Sequence, residues 1–233
     1  MTIDVWTIDL GHDLRQGATL DRWRALIDAE EKARADRFIF PQHRSRFILA
    51  HAATRSILAA YIGRSARDLR FEKNAYGKPI LIVASSQSAV SFNLTHSHDL
   101  ALCAVAIDGE IGVDVEWRRD LAQHDLAQRF FAPSESSALQ QLEETRRHAG
   151  FFACWTRKEA YIKAKGLGLS LPLDRFVVET DPDKPAALQA SDYAPEDVGS
   201  FRLWDVPVAD GYRAALAYRG AAAGPPVVRA WKF

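Results

Sequence analysis

The chain has 233 residues, 48% of them apolar, and its thirty basic side chains balance thirty acidic ones, so the formal net charge is zero. This usage is that of an ordinary globular protein, and it excludes a disordered tail, a collagen-like chain and a disulfide-stapled miniprotein. Without a net field there is no general attraction for nucleic acid or an anionic membrane, so neither is expected as a partner and any polyanion must be bound by local charges.

The first half of the chain shows hydrophobic periodicity typical of alternating strand and helix. Asp28 and Glu31 have capping-box spacing, and Gly63 is a plausible C-terminal stop for a long helix. The predicted elements are a strand over 2–10, a helix or pair of short helices over 21–36, a helix over 43–62 and a turn at 76–79.

The second half mixes short strands with one further long helix, which together with the first half predicts an α+β fold. Asp108-Gly109 is a hairpin signal between two of the strands. The predicted elements are strands over 90–94, 101–107, 111–117, 176–179, 202–206 and 212–218, a helix over 151–165 that ends at Gly166, and a loop over 181–200.

A weak internal repeat divides the chain. Arg-Phe, Pro, Thr-Arg and Arg-Phe recur in this order, with Thr54-Arg55 in the first long helix and Thr156-Arg157 in the second. The length allows one domain or two. The repeat favours two similar halves, residues 1–110 and 111–233, each an antiparallel sheet packed with a long helix, and a ligand cleft between them.

The strand over 111–117 carries two carboxylates on one side. Asp114 and Glu116 alternate with apolar residues, their Cα atoms would lie about 7 Å apart, and at that distance two bare charges repel by roughly 2 kcal/mol. Gly112 leaves the same side uncrowded. A bound cation would relieve the repulsion, whereas the outer face of a solvated edge hairpin would need none.

The second long helix carries a carboxylate and an ammonium within an apolar stripe. Trp155, Glu159, Ile162 and Lys163 share one face by their spacing. A solvent-exposed Glu159–Lys163 pair is the alternative, but the aromatic neighbours disfavour it. Three carboxylates without clustered His or Cys indicate an oxygen-seeking ion such as Mg²⁺, which usually completes its shell with substrate phosphates.

His96, His98 and Asp99 form a further polar group that leads into the hairpin. Three interpretations stay open: a zinc site, a structural turn with a hydrogen-bonded histidine, and a phosphate contact by Thr95 and His96. Residues 166–170 lack the spacing and the lysine of a P-loop. Cys103 and Cys154 lie in apolar stretches and are interpreted as buried free thiols rather than as a disulfide or a nucleophile.

Five motifs in order resemble the 4′-phosphopantetheinyl transferases of the type that activates surfactin synthetase, over about residues 30–176. They are Tyr-Gly-Lys78-Pro, Phe-Asn-Leu-Thr-His96-Ser, Gly-Val-Asp114-Val-Glu116, Arg-Phe-Phe131 with Glu135 four residues on, and Trp155-Thr-Arg-Lys158-Glu159-Ala-Tyr-Ile-Lys163-Ala-Lys-Gly-Leu-Gly-Leu.

The resemblance implies two pseudo-two-fold-related halves with coenzyme A in the cleft between them. It also implies the reaction: a serine of an apo acyl or peptidyl carrier protein attacks the pantetheine-side phosphate of coenzyme A, and 3′,5′-ADP leaves. The carrier could serve fatty-acid, polyketide, nonribosomal-peptide or siderophore synthesis. Two fused halves that complete one cleft suggest a monomer, and the acidic start of the chain, without a basic leader, suggests the cytoplasm.

Carried over by position, the resemblance implies three groups of site residues. Asp114, Glu116 and Glu159 would bind Mg²⁺, with Glu159 also the general base and Lys163 beside the reacting phosphate. Coenzyme A would be contacted by Lys78, Thr95, His96, Lys158 and Lys163, and its 3′-phosphate by Lys32, Arg34 and Arg46, since Glu31 stands where the family has a basic residue.

Carrier proteins are generally acidic, so docking on this neutral chain is expected to use a local basic patch with apolar contacts. Arg118, Arg119 and Arg129 are the candidates, although solvated surface arginines are an equal alternative. Competing functions are a non-catalytic module that binds carrier proteins or nucleotides, and a metal-dependent hydrolase of phosphate esters.

Overall fold

The computed structural model describes residues 2–11, 20–83, 89–119, 123–221 and 224–232. In chain order, the helices and strands used below are β1 (Ile3–Asp9), α1 (Asp21–Arg24), α2 (Ala29–Asp36), α3 (Pro41–Ile62), β2 (Phe71–Lys73), β3 (Pro79–Leu81), β4 (Val90–Ser97), β5 (Leu100–Ile107), β6 (Glu110–Trp117), α4 (Gln123–Phe130), α5 (Pro133–Gln141), α6 (Glu144–Lys165), β7 (Phe176–Val178), β8 (Leu188–Ser191), β9 (Arg202–Asp205), β10 (Tyr212–Arg219) and β11 (Val227–Trp231).

Two central sheets pack face to face between two long helices. One sheet has the order β11-β1-β5-β4 and the other β6-β10-β9. The alternate residues of each strand divide between two cores: Leu102 of β5 packs toward Val113 and Leu216 of the other sheet, whereas Cys103 packs under α3. The outer face of the second sheet is covered by α6. The α+β class and its two similar halves are therefore confirmed.

The internal repeat corresponds to matching structure. Helices α3 and α6 both have 22 residues and both end at a left-handed glycine. In each helix the Thr hydroxyl donates to the carbonyl four residues earlier, and the Arg that follows, Arg55 or Arg157, is fully buried and donates to backbone carbonyls and carboxylates. The boundary between the two halves at residues 110 and 111 remains a prediction. Strand β11, from the end of the chain, pairs in parallel with β1 of the first half.

The hairpin prediction at Asp108-Gly109 is right about the turn and wrong about the pairing. Both residues have positive φ, 68° and 90°, as a tight turn requires. The flanking strands nevertheless enter different sheets: β5 pairs with β1 and β4, and β6 pairs with β10. The turn is where the chain crosses from one half to the other.

Other predicted boundaries need correction where periodicity was weak. The helix predicted over 151–165 begins at Glu144. Helices α4 and α5 occupy a stretch for which no element was predicted, and few of their residues are buried. Strand β8 lies inside the predicted loop 181–200. The capping box of Asp28 and Glu31 is confirmed, with both reciprocal hydrogen bonds present, and 21–36 is a pair of helices. No helix in the described ranges is long and apolar enough to cross a membrane.

Candidate active site

The centre of the site is an ion pair between β6 and α6. Lys163 Nζ lies 2.5 Å from Asp114 Oδ1 and donates to Thr95 Oγ1 at 3.1 Å. Thr95 Oγ1 lies 3.3 Å from the same Asp114 oxygen. Asp114 and Thr95 are buried, so this contact is made largely out of water. Although burial lowers the pKa of Lys163, the charge of Asp114 raises it above its ordinary value, which keeps the ammonium charged.

Glu116 and Glu159 flank this pair and interact with Asp114. Burial, followed by the charge of Asp114, raises the pKa of each above the ordinary glutamate value. Lys163 and, for Glu116, a hydrogen bond from Ser97 Oγ at 3.0 Å act in the opposite direction. Glu116 and Glu159 are therefore held in positions where burial and the charge of Asp114 both disfavour their ionised forms.

The three acids offer oxygen ligands of the kind that a divalent ion takes. Within the described part of the chain, no group of three or more His, Cys, Asp or Glu is gathered closely enough to hold a metal as it stands. The donor chemistry nevertheless fits a hard cation: Asp114 Oδ2 is buried and has no hydrogen-bond partner among the described residues, and the three acids repel one another. His96, His98 and Asp99 are likewise not gathered into a metal site in the described part of the chain. His98 is in the turn after β4 and stacks on Trp117.

Gly112 explains how β6 and α6 come so close. A Cβ at this position would lie 2.2 Å from both the Ala160 carbonyl oxygen and the Ala164 backbone nitrogen. The sequence interpretation that Gly112 leaves open space beside the carboxylates is therefore wrong. The helix backbone fills that space. This close approach lets Lys163 of α6 reach Asp114, which lies two residues after Gly112 on the strand.

A row of polar side chains on β4, of which the sequence analysis singled out only Thr95, joins the two sheets beside the site. Ser91, Asn93, Thr95 and Ser97 alternate along β4 and each bonds across to β6 or the turn before it: Ser91 Oγ donates to the Gly109 carbonyl, Asn93 Oδ1 accepts from Val113 N–H, and the other two contact Asp114 and Glu116. The period-two spacing of these polar residues in an otherwise apolar strand was the available signal.

A cavity of about 710 Å³ opens beside the ion pair. Four residues of α6 line this cavity: Trp155, Glu159, Ile162 and Lys163. They therefore share one face of the helix, as predicted. The opposite wall comes from the turn at 76–79, Phe130 and the segment 171–174. The cavity is thus built from both halves. It combines apolar side chains with two carboxylates, Glu159 and Asp174, and three basic groups, Lys78, Arg129 and Lys163.

Basic side chains gather near His96. The pKa of His96 is lowered, first by desolvation and then by nearby positive charges. These charges belong to His51, Lys163, Arg34 and Arg46. Arg46 is held by Asp99, with Nε and Nη2 at 2.9 and 2.6 Å from Oδ1. Of the residues predicted for the coenzyme's phosphates, His96, Arg34 and Arg46 therefore lie in one cationic region; Lys32 is half-buried on α2.

Lys78 lines the cavity while bracing its wall. Its Nζ donates to the carbonyls of Ile111 and Ala164 at 2.9 and 3.0 Å. Burial lowers the pKa of Lys78 to about 8. Asn74, at the start of the same turn, donates to the Gly166 carbonyl at the end of α6. The turn that carries Lys78 is therefore fixed to the second half of the molecule.

The position of Lys158 corrects its predicted role. Its side chain is fully buried and Nζ contacts Glu135 Oε2 at 2.7 Å and the carbonyls of Leu173 and Phe176 at 2.7 and 2.5 Å. These contacts take up the three donors of the ammonium, so Lys158 has none left for a phosphate in the cavity. It fixes the segment that forms one cavity wall.

The remaining candidates have simple positions. Arg129 lines the cavity and its guanidinium lies over the Phe130 ring, whereas Arg118 and Arg119 are exposed just beyond β6.

Cys103 and Cys154 are buried free thiols, as predicted. Burial raises the pKa of Cys103 to about 12 and that of Cys154 well above its ordinary value, so neither has the character of a nucleophile.

Comparison with known proteins gives matches over both halves. Residues 110–217 match the profile of the 4′-phosphopantetheinyl transferase superfamily, and residues 17–108 match that of the 4′-phosphopantetheinyl transferase N-terminal region.

Three relatives with curated names extend along most of the chain. The 4′-phosphopantetheinyl transferase HetI of Nostoc sp. is 39% identical over 81% of this chain and 78% of its own length. The putative 4′-phosphopantetheinyl transferase slr0495 of Synechocystis sp. is 34% identical over 84% and 80%. The 4′-phosphopantetheinyl transferase Sfp of Bacillus subtilis is 30% identical over 74% and 75%. With its α+β halves and the acids and lysine of its cleft, this chain belongs to the 4′-phosphopantetheinyl transferase family and is a transferase.

Proposed function

We propose that this transferase moves the phosphopantetheine arm of coenzyme A to a serine of an apo acyl or peptidyl carrier protein, with Mg²⁺ required and 3′,5′-ADP released. The observation that carries the proposal is the cleft between the halves, where Glu159 and Lys163 line one cavity beside the buried Asp114. A carboxylate and a fixed ammonium beside an oxygen-rich acid cluster are the groups that phosphoryl transfer needs.

Asp114, Glu116 and Glu159 would hold the ion. Their fit rests on the unpartnered Asp114 oxygen and on the pKa values of both glutamates, which burial and then the charge of Asp114 raise. When bound, Mg²⁺ would supply positive charge for the negative charge that spreads over the phosphate oxygens.

The chain's own residues would position and neutralise the substrates. Lys163, held by Asp114 and Thr95, would present its ammonium to the reacting phosphate. The cationic region of His96, Arg34 and Arg46 would bind the nucleotide phosphates of coenzyme A. Glu159 would accept the serine proton at a carboxylate oxygen, because its raised pKa makes it a better base than an ordinary glutamate. The serine oxygen–phosphorus bond forms as the bond from phosphorus to 3′,5′-ADP breaks.

The test is intact-mass spectrometry of several purified apo carrier proteins after incubation with the enzyme, coenzyme A and Mg²⁺. We expect the carrier to gain the mass of one phosphopantetheine arm. EDTA in the incubation should prevent this gain, and an excess of added Mg²⁺ should restore it. Glu159→Gln, Asp114→Asn and Lys163→Met should lower the rate at least 100-fold, since each removes a charge from the reacting centre. Glu144→Gln, an exposed glutamate of the same helix, is the matched control and should leave the rate unchanged.

The alternatives predict different outcomes. A non-catalytic module would bind carriers tightly without consuming coenzyme A, and a phosphate-ester hydrolase would release phosphate without any carrier. Either result with the wild-type protein would overturn the proposal. A monomeric state and a cytoplasmic location remain predictions from the sequence.

A further inference from the structure

Two large apolar side chains stand exposed where α3 begins. Ile39 and Phe40 are 87% and 60% exposed. Arg37, His43 and Arg44 surround them in sequence, and the Phe40 ring meets the edge of His43 at 5.7 Å between ring centres. These five residues are called the α3 entry patch below.

Helix initiation does not explain this residue choice. Phe40 is the N-cap residue and makes no side-chain capping bond, although Ser, Thr, Asp and Asn are strongly preferred at that position. A hydrophobic staple would need Ile39 to pack against an apolar residue at the fourth helical position, but Arg44 is there and Ile39 is almost wholly exposed. Neither side chain therefore supplies a capping bond or a staple, and apart from the Phe40–His43 ring contact both are left to solvent.

The surroundings of the patch are positively charged. Arg37 and Arg44 flank the apolar pair, and the acidic neighbour Asp36 is already paired with Arg24, at 2.7 Å. An apolar centre with a basic rim complements an amphipathic surface that is apolar in the middle and acidic around it.

The patch and Arg46 lie at the same end of α3. Phe40 and Arg46 are six residues apart, which is about 9 Å along a helix axis. Arg46 is held by Asp99 and is one of the positive charges that act on His96. The patch is therefore carried by the same helix end as a residue proposed to bind the nucleotide phosphates.

We infer that the α3 entry patch is a docking surface for the apo carrier protein, which would present an acidic amphipathic helix to Ile39 and Phe40. This inference rests on the proposed function, because it names a surface for that reaction's protein substrate. It places carrier contacts on the first half of the chain, whereas the predicted arginines 118, 119 and 129 lie in the second.

The experiment measures steady-state transfer to one apo carrier as a function of carrier and of coenzyme A concentration. Ile39→Ser and Phe40→Ser together should raise the KM for the carrier about tenfold or more, as truncated interface anchors do, and leave kcat and the KM for coenzyme A unchanged. Tyr193→Ser removes another exposed aromatic ring, 54% exposed, and should change nothing.

A charge-reversal arm tests the basic rim. Arg37→Glu should raise the carrier KM and weaken its dependence on salt, whereas Arg64→Glu, an exposed arginine just past the other end of α3, should do neither. Equal effects of the two reversals, or an unchanged carrier KM in the double serine variant, would overturn the docking inference while transfer by the wild type continued.

Two further outcomes are distinguishable. If the wild type transfers to no carrier, the proposed function fails, and binding of a carrier whose acceptor serine is changed to Ala then tests the patch separately. If size-exclusion chromatography with light scattering shows a dimer that the double serine variant dissociates, the patch binds a second copy of this chain and the carrier inference is wrong.

Discussion

Asp114 occupies the most demanding position in the site. Its carboxylate is buried, one oxygen contacts Lys163, and the other has no hydrogen-bond partner among the described residues. Leaving a buried charged oxygen unpaired costs free energy, and Glu116 and Glu159 add repulsion. The stability of the protein should therefore respond to any cation that reaches these acids.

Addition of MgCl₂ should raise the Tm of the wild type, because an ion that binds only the folded state stabilises it by about 2.7 kcal/mol at about 100 times its Kd. Differential scanning fluorimetry checks this. The gain should shrink at pH 5, where protons compete for the two glutamates with raised pKa. Asp114→Asn should abolish the gain and Asp125→Asn, an exposed control, should keep it; an equal gain in both variants would contradict the metal site.

Lys78 gives a second pH-dependent prediction. Burial lowers its pKa from 10.5 to about 8 in the folded state, so between these values the unfolded chain binds more protons. Stability contributed at Lys78 should therefore rise with pH across this window. The difference in Tm between the wild type and Lys78→Met should increase from pH 7.5 to pH 10. A constant difference would show that Lys78 titrates normally.

Helix α6 and strand β6 bring the acids and the ammonium together, and the sequence predicted both elements. Their alternation and helical spacing placed Asp114 with Glu116 and Glu159 with Lys163 correctly. Lys158 could not be placed this way: its partners, Glu135 and two backbone carbonyls, come from segments distant in sequence. Four short strands, β2, β3, β8 and β11, were missed because three to five residues are few to show a period, although the equally short β7 and β9 were predicted.

The contact between these elements depends on Gly112. Gly112→Ala would place a methyl group against the backbone of α6 at Ala160 and Ala164, which cannot move as a side chain would. We expect a loss of about 1–3 kcal/mol of unfolding free energy, typical of overpacking. Transfer activity should fall more than stability explains, since Lys163 would be displaced from Asp114. Urea unfolding and the transfer assay measure the two effects, and an alanine variant with wild-type values of both would contradict this account.

At the scale of the whole molecule, the two sheets are joined by a turn in the middle of the chain and the first and last strands pair with each other. The turn at Asp108-Gly109 crosses from one sheet to the other, and β11 returns to pair with β1, with Arg229 Nε 2.9 Å from Asp4 Oδ1 and Trp231 edge-on to Trp6. The sequence predicted two halves from the repeat, but β11 could not be assigned because its parallel partner lies more than 200 residues away.

Removing residues 225–233 should test this closure. The deletion takes away β11 and leaves β1 with an open edge. We expect a lower Tm and concentration-dependent aggregation, measured by fluorimetry and light scattering, whereas Val227→Thr should preserve strand and stability. A truncated chain that stays monodisperse with the wild-type Tm would show that β11 contributes little.

The repeat has a consequence for how many reaction centres one chain can have. The offset of 102 residues that relates Thr54-Arg55 to Thr156-Arg157 sets Ile57 opposite Glu159 and Tyr61 opposite Lys163. Ile57 is buried in the core of the first half, and Tyr61 donates its hydroxyl to Asp4. One of the two 22-residue helices thus contributes the acid and the ammonium, whereas the matching positions of the other belong to the core and to a structural hydrogen bond. Within the described residues, the repeat therefore supplies these groups at one place only, and the centre is asymmetric with respect to it.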